Sequence, residues 1–432
     1  MALWALSLIV LLGVIVILAR EWLPIGVVGI ALPFLLIALG LSDTSTAMGY
    51  FISEAIVLIP CVYILGDALF EVGIADRLGG EIKKLSERTK GGGEPMVLLL
   101  IILASGAACF VLPRYGVTGA LMPVVVAIAR STKISRTKLL LALALAANIW
   151  GNNTLMSTPP NMLANGVLED IGAMTFGFFE YALIGVPIAI SGTLVLVLLG
   201  KKILPENIDE NKAFDGSPDE NGGGAQTAVP GWKVVATCVI FSIFILGIMF
   251  EDSIGIKGHI TGMFCVAALI VCRIVTEKHA YSAVGWGTTF FCAGIQVLGK
   301  AVETSGAGEM IASVTLQVLG TTPNPFLITG VMFCAGAVMT QFMSNTGAAG
   351  ILFPIGISIA SSIGADPRAV IMAVVMGCGS SFMTPMATPS NAMVMEKGGI
   401  LFRDFVRSGI PLMIATAAVC IIGIPLIWPF FD

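Results

Sequence analysis

Long apolar runs follow one another along the chain, separated by short polar segments rather than alternating with them residue by residue. Crossing a bilayer core as a helix takes roughly 17 to 25 residues. Ten runs approach or reach that length, near residues 2–19, 24–42, 50–70, 138–165, 177–200, 233–250, 258–275, 285–302, 369–395 and 409–430. Two further stretches, 96–130 and 323–363, are apolar but interrupted in the middle. The pattern predicts an all-α polytopic protein of the cell membrane, with the lipid bilayer as its surroundings.

Two runs depart from the apolar pattern in the same way. Thr154–Asn161 reads TLMSTPPN, and Thr384–Asn391 reads TPMATPSN; both fit T-x-M-[S/A]-T-P-[P/S]-N at an offset of 230. Leu65-Gly66-Asp67-Ala68 matches Leu298-Gly299-Lys300-Ala301 at an offset of 233, and Pro113–Ala129 matches Ser344–Ala360 at 231. Three blocks in one order at a nearly constant offset predict a duplication. The first repeat is 1–200, holding the interrupted stretch 96–130 and a broken helix over 138–165. The second is 233–432, with 323–363 and 369–395 in the same roles. The linker 201–232 is polar and glycine-rich, and it is expected to be cytoplasmic and loosely ordered.

Charge then orients the repeats. Basic residues gather on the cytoplasmic side. Arg77, Lys83, Lys84, Arg88 and Lys90 precede the first interrupted stretch, and Arg130, Lys133, Arg136 and Lys138 follow it. Two inside ends around one broken stretch predict a re-entrant hairpin. Its counterpart is flanked by 303–322, with two glutamates and no Lys or Arg, and so enters from the other face. The repeats are therefore expected to be inverted, with both termini outside and Lys201, Lys202, Lys397, Arg403 and Arg407 inside. Inverted repeats with helices broken at the midplane are a secondary-transporter architecture.

Composition narrows the alternatives. Only 12% of the chain is charged, about half the ordinary share, and no basic tract suits nucleic acid. The nine cysteines lie in apolar segments without C-x-x-C, and the only histidines, His259 and His279, sit near predicted helix ends. No cofactor and no histidine-based metal or catalytic cluster is expected, and intramembrane carboxylates are few, chiefly Glu54 and Asp67, so the chain is not read as an enzyme. The first apolar run lacks a basic leader and an A-x-A site, so no cleaved signal is expected. Asn152-Asn153-Thr154 fits a glycosylation sequon, but at membrane depth it cannot serve as one. Asp67 and Lys300 hold equivalent repeat positions and read as solvated helix ends.

Broken backbone in hydrocarbon is retained only where protein or a filled cavity satisfies it. Prolines at 159, 160, 385 and 389 free backbone groups at mid-membrane. Freed carbonyls suit a small cation, half-helix N-termini suit an anion, and hydroxyls and amides add ligands without a full charge. The duplicated segment thus reads as two halves of one binding site.

The motif QFMSNTGAAGILFP around Ser344-Asn345-Thr346, followed by SFMTPMATPSNAMV, resembles the divalent anion:sodium symporters, the INDY-like permeases of the ion transporter superfamily. The resemblance covers both halves. It implies an elevator-type homodimer that carries a small anion of the dicarboxylate, sulfonate or sulfate class, with a scaffold mainly from spans 1–3 and 7–9. Sodium would be the coupling ion, held by Ser344, Asn345, Thr384 and Thr388. The anion would meet Arg114, Tyr115, Asn153, Thr154, Thr158, Pro159, Asn161, Asn345, Thr346, Thr384, Thr388, Pro389 and Asn391. Where the family has Ser-Asn-Thr in the first hairpin, this chain has Pro113-Arg114-Tyr115. Arg114 is therefore expected to contact the anion or to replace the missing cation. An arsenite-type efflux permease and a sodium-independent anion exchanger are the alternatives.

Overall fold

The computed structural model describes residues 2–20, 22–73, 93–110, 112–132, 134–205, 230–307, 310, 324–385 and 387–431. Most of the linker 201–232 and the flanks 74–92 and 311–323 lie outside the described residues, and so do the expectations placed on them. Everything regular among the described residues is helical.

In the first half the helices are α1 (Leu3–Ala19), α2 (Ile25–Ala38), α3 (Thr44–Phe51), α4 (Glu54–Glu71), α5 (Gly93–Cys109), α6 (Arg114–Thr132), α7 (Arg136–Trp150), α8 (Pro159–Asp170) and α9 (Ala182–Ile203). In the second half they are α10 (Gly231–Met249), α11 (Glu251–Ile254), α12 (Gly258–Val271), α13 (Glu277–Ala283), α14 (Trp286–Thr304), α15 (Pro325–Met339), α16 (Asn345–Ile363), α17 (Pro367–Gly379), α18 (Pro389–Gly398) and α19 (Phe402–Ile427). The duplication is visible in this list: α2 and α12, α4 and α14, α6 and α16, and α8 and α18 begin 230 to 233 residues apart.

Local chemistry sets the ends. Asp43 caps α3 by accepting the Thr46 amide at 2.9 Å, and Asp366 caps α17 by accepting the Arg368 amide at 2.8 Å, with Pro367 in the first turn. α16 and α18 stop at Gly364 and Gly399, both in left-handed backbone that glycine adopts without strain. Among the described residues, five helical stretches are long and apolar enough to cross a membrane: Thr44–Leu69 (α3 running into α4), Ala182–Ile203, Gly231–Met249, Asn345–Ile363 and Phe402–Ile427. Seven shorter apolar helices join them, which makes a multi-pass membrane protein. The runs 138–165 and 369–395 each resolve into two helices around a non-helical break, as their prolines require.

Packing sorts the helices into two sets. One holds α1–α4 and α10–α14; α2 crosses α14 and α12 crosses α4, so each repeat lends a helix to the other. The α2–α14 crossing is a backbone contact: a Cβ on Gly294 would lie 2.2 Å from the Gly29 carbonyl oxygen. The other set holds both hairpins, α5–α6 and α15–α16, both broken helices, α7–α8 and α17–α18, and α9 with α19. This corrects the scaffold expected from the sequence. The sixth span, α10, belongs with α4 and α12, whereas the ninth, α17–α18, packs among the hairpins. Asp67 and Lys300 do not simply face solvent: Asp67 Oδ2 lies 2.7 Å from His279 Nε2, and Lys300 Nζ lies 3.1 Å from Glu303 Oε2.

The contacts between the sets break the internal symmetry. α14 packs on α16 and α4 packs on α8, while the equivalent pairs, α4 with α6 and α14 with α18, make little contact.

Candidate functional site

A cavity of about 460 Å³ lies between the two sets, where the hairpin tips and the breaks meet. Arg114, Tyr115, Thr158, Pro159, Ser344, Asn345, Thr346, Thr388 and Pro389 line it, as the sequence analysis expects of site residues. The helix set of α4 and α14 supplies the facing wall through Tyr63 and Thr288, neither of which polarity alone had singled out.

The other expected ligands stand off the cavity and hold the breaks together. The Asn161 amide donates to the Thr154 carbonyl at 2.8 Å, and the Asn391 amide donates to the Thr384 carbonyl at the same distance. Each asparagine thus satisfies a carbonyl freed seven residues earlier, once per repeat. Thr158 donates to Asn161 Oδ1 at 2.8 Å, and Thr384 donates to the Gln341 carbonyl at 2.9 Å. Asn153 is fully buried and donates to the Trp150 carbonyl at 2.7 Å. Thr154 is bonded to Ser157 through both its amide, at 2.9 Å, and its hydroxyl, at 2.7 Å. The duplicated motif is therefore partly a device for unwinding a helix without orphaning its backbone.

At the second tip, Ser344 caps α16 by accepting the Gly347 amide at 3.1 Å. Asn345 Oδ1 accepts the Thr340 hydroxyl at 2.6 Å and the Ser381 hydroxyl at 2.8 Å. Thr340 Oγ1 also lies 2.9 Å from the Cys378 carbonyl. An amide oxygen, two hydroxyls and a carbonyl converge without a charge, a donor set that a hard cation such as sodium accepts. Thr340, Gln341 and Ser381 were missed from sequence; the signal was a polar pair, Thr340-Gln341, in an otherwise apolar stretch.

The first tip is built differently. Arg114 opens α6 and is 7% exposed. Its Nη1 donates to Asn148 Oδ1 and to the Gly379 carbonyl, each at 3.5 Å. Those partners end α7 and α17, the helices that precede the two breaks, so the guanidinium lies between the two breaks and also lines the cavity. The repeat alignment explains how it fits. Arg114 takes the place of Asn345, Cys109 that of Thr340, and Gly151 that of Ser381. Both hydroxyls are gone on the first side. The space goes to the arginine: a Cβ on Gly151 would lie 3.2 Å from Arg114 Cβ and Cδ. One tip thus presents a permanent cation and the other a cluster of neutral oxygens, across one cavity.

The chain is similar to known transporters. The citrate transporter family, CitMHS, matches residues 15–375. An uncharacterized transporter of Methanocaldococcus jannaschii is 25% identical over 92% of this chain and 88% of its own. The rat Na(+)/citrate cotransporter is 31% identical over a shorter segment, 33% of this chain and 23% of its own. Among solved structures, the YdaH transporter of Alcanivorax borkumensis shares the fold, with a TM-score of 0.65 at 14% identity over 94% of this chain and 100% of its own.

Proposed function

The chain belongs to the citrate transporter family, and from that premise we propose that it is a secondary active carrier of a small organic anion, working as an elevator. The hairpins and broken helices form the moving body, and the set of α1–α4 and α10–α14 forms the fixed one. With the repeats inverted as their flanking charges suggest, α13 and the cavity beside it lie toward the cytoplasm. The packing of α4 on α8 and α14 on α16 closes the opposite side, so the arrangement faces inward. A homodimer in the cell membrane belongs to the same reading.

The observation that carries the proposal is the pair of tips facing one cavity, Arg114 on one side and Asn345 on the other. Arg114 presents a planar fork suited to carboxylate oxygens and supplies positive charge whether or not a cation is bound. The Thr340–Asn345–Ser381 cluster would hold one sodium ion. Coupling then needs one sodium at this site and none at the first tip. No cysteine lines the cavity among the described residues, so the arsenite reading lacks a thiol there.

Purified protein in liposomes decides the matter. Radiolabelled citrate, succinate and sulfate are each offered with a sodium gradient, with equal potassium, and with the same anion loaded inside. The reading expects saturable uptake of at least one carboxylate, a sodium dependence with a Hill coefficient near one, and counterflow. Uptake that does not saturate, or no movement of any carboxylate, overturns it.

A further inference from the structure

The mechanism above leaves unexplained how Arg114 is held where two half-sites of different chemistry meet. Asn148 sits on the last turn of α7, is fully buried, and does not line the cavity. Its Oδ1 accepts from Arg114 at 3.5 Å. Its Nδ2 donates to Asn391 Oδ1 at 2.8 Å and to the Ser381 carbonyl at 3.3 Å.

The amide can point only one way. Nδ2 faces two acceptors, so Oδ1 must face the guanidinium; a flipped amide would set a donor against a cation and an acceptor against two acceptors. Asn391 is fixed in turn, because its own Nδ2 donates to the Ser381 carbonyl at 3.0 Å and the Thr384 carbonyl at 2.8 Å. Ser381 closes the chain: its hydroxyl donates to Asn345 Oδ1 at 2.8 Å. An unbroken buried path therefore runs from Arg114 through Asn148 to Ser381 and Asn345, from the first repeat into the second.

We propose that Asn148 is a positioning residue for anion binding: it aims the Arg114 guanidinium into the cavity from an anchor in the second half-site. The proposal rests on the reading of Arg114 as the anion's partner. The two 3.5 Å contacts hold the guanidinium loosely by one nitrogen, leaving most of its five N–H donors for a ligand. Without Asn148 the side chain is unconstrained on that side, and each binding event must immobilise it afresh.

A double-mutant cycle tests this, with citrate as the probe and succinate and sulfate run in parallel. Affinity is measured by titration calorimetry on wild type, Arg114→Gln, Asn148→Ala and the double variant, with thermal melting as a check on folding. Asn148→Ala is expected to weaken the anion roughly tenfold, the scale of one buried hydrogen bond to a charged group. In the Arg114→Gln background the same change is expected to have no further effect, because its target is gone. Should Asn148→Ala not fold, Asn148→Ser enters the same cycle. Unchanged affinity in the single variant overturns the proposal, and so does equal loss in both backgrounds, which marks Asn148 as structural only. If Arg114→Gln itself binds like wild type, the reading of Arg114 fails and this inference falls with it. A weak Arg114→Gln with an additive Asn148→Ala sinks the inference alone.

Discussion

Tyr63 and Gln296 occupy equivalent positions in the two repeats, 233 residues apart, and the fold treats them oppositely. Tyr63 lines the open cavity. Gln296 is 4% exposed, and neither atom of its amide finds a protein partner. It lies against Gly166 of α8, where a Cβ would come within 3.4 Å of the amide nitrogen. The same repeat position therefore faces the large cavity in one repeat and, in the other, the contact with α8 beside a small pocket of about 50 Å³.

A buried amide without a partner costs about 1–3 kcal/mol. Gln296→Met keeps the volume and removes the amide, so it should stabilise the arrangement with α8 packed on α4. The expected result is a higher melting temperature together with slower anion exchange in liposomes. A lower melting temperature would show that the amide is satisfied in the protein as it works.

Arg114→Gln should cost about 1.5 to 3 kcal/mol in anion affinity, the scale of hydrogen bonds to charged groups. That is roughly ten- to over a hundredfold in Kd. Arg114→Lys should recover little, since a point charge cannot reproduce the fork and the ammonium would lose Asn148 or Gly379. Titration calorimetry reads both. Two variants within about twofold of wild type would remove Arg114 from the site.

The cation cluster is addressed by Thr340→Val and Asn345→Ala. Both keep the helices on either side of the tip and remove oxygens from the cluster. Each should raise the half-saturating sodium concentration about fivefold or more, from the loss of roughly 1 kcal/mol per ligand. Sodium dependence of uptake is the measurement. Curves superimposable on wild type would place the coupling ion elsewhere.

Gly379 has no room for a side chain: a Cβ there would lie 1.9 Å from Asn152 Nδ2. Gly379→Ala must displace Asn152 or the backbone whose carbonyl accepts from Arg114. The expected cost is about 1–3 kcal/mol of stability, with reduced anion affinity. Gly13→Ala on α1 meets nothing within 4 Å and serves as the control, neutral or slightly stabilising. Equal melting temperatures for the two variants would contradict the packing at Gly379.

Much of the protein was legible in the chain itself. Apolar run length is set by the bilayer, so membrane helices declare themselves locally. Proline and glycine act on their own backbone, so both breaks, the caps at Ser344 and Thr388 and the stops at Gly364 and Gly399 could be read or rationalised one segment at a time. The duplication followed from residue identities at a fixed offset. Partner choice was not legible. Whether a buried asparagine faces a ligand or its own backbone depends on geometry across a turn, and Asn161 and Asn391 turned inward to carbonyls. Thr340, Ser381 and Asn148 matter because helices 38 to 243 residues apart converge. The sixth span joined α4 and α12, and the ninth joined the hairpins, for the same reason: hydropathy records how much of a helix avoids water, and in a membrane lipid and protein satisfy that equally. Sequence alone thus determined which segments are buried and which are broken, while only close packing between distant segments decided which polar atoms meet.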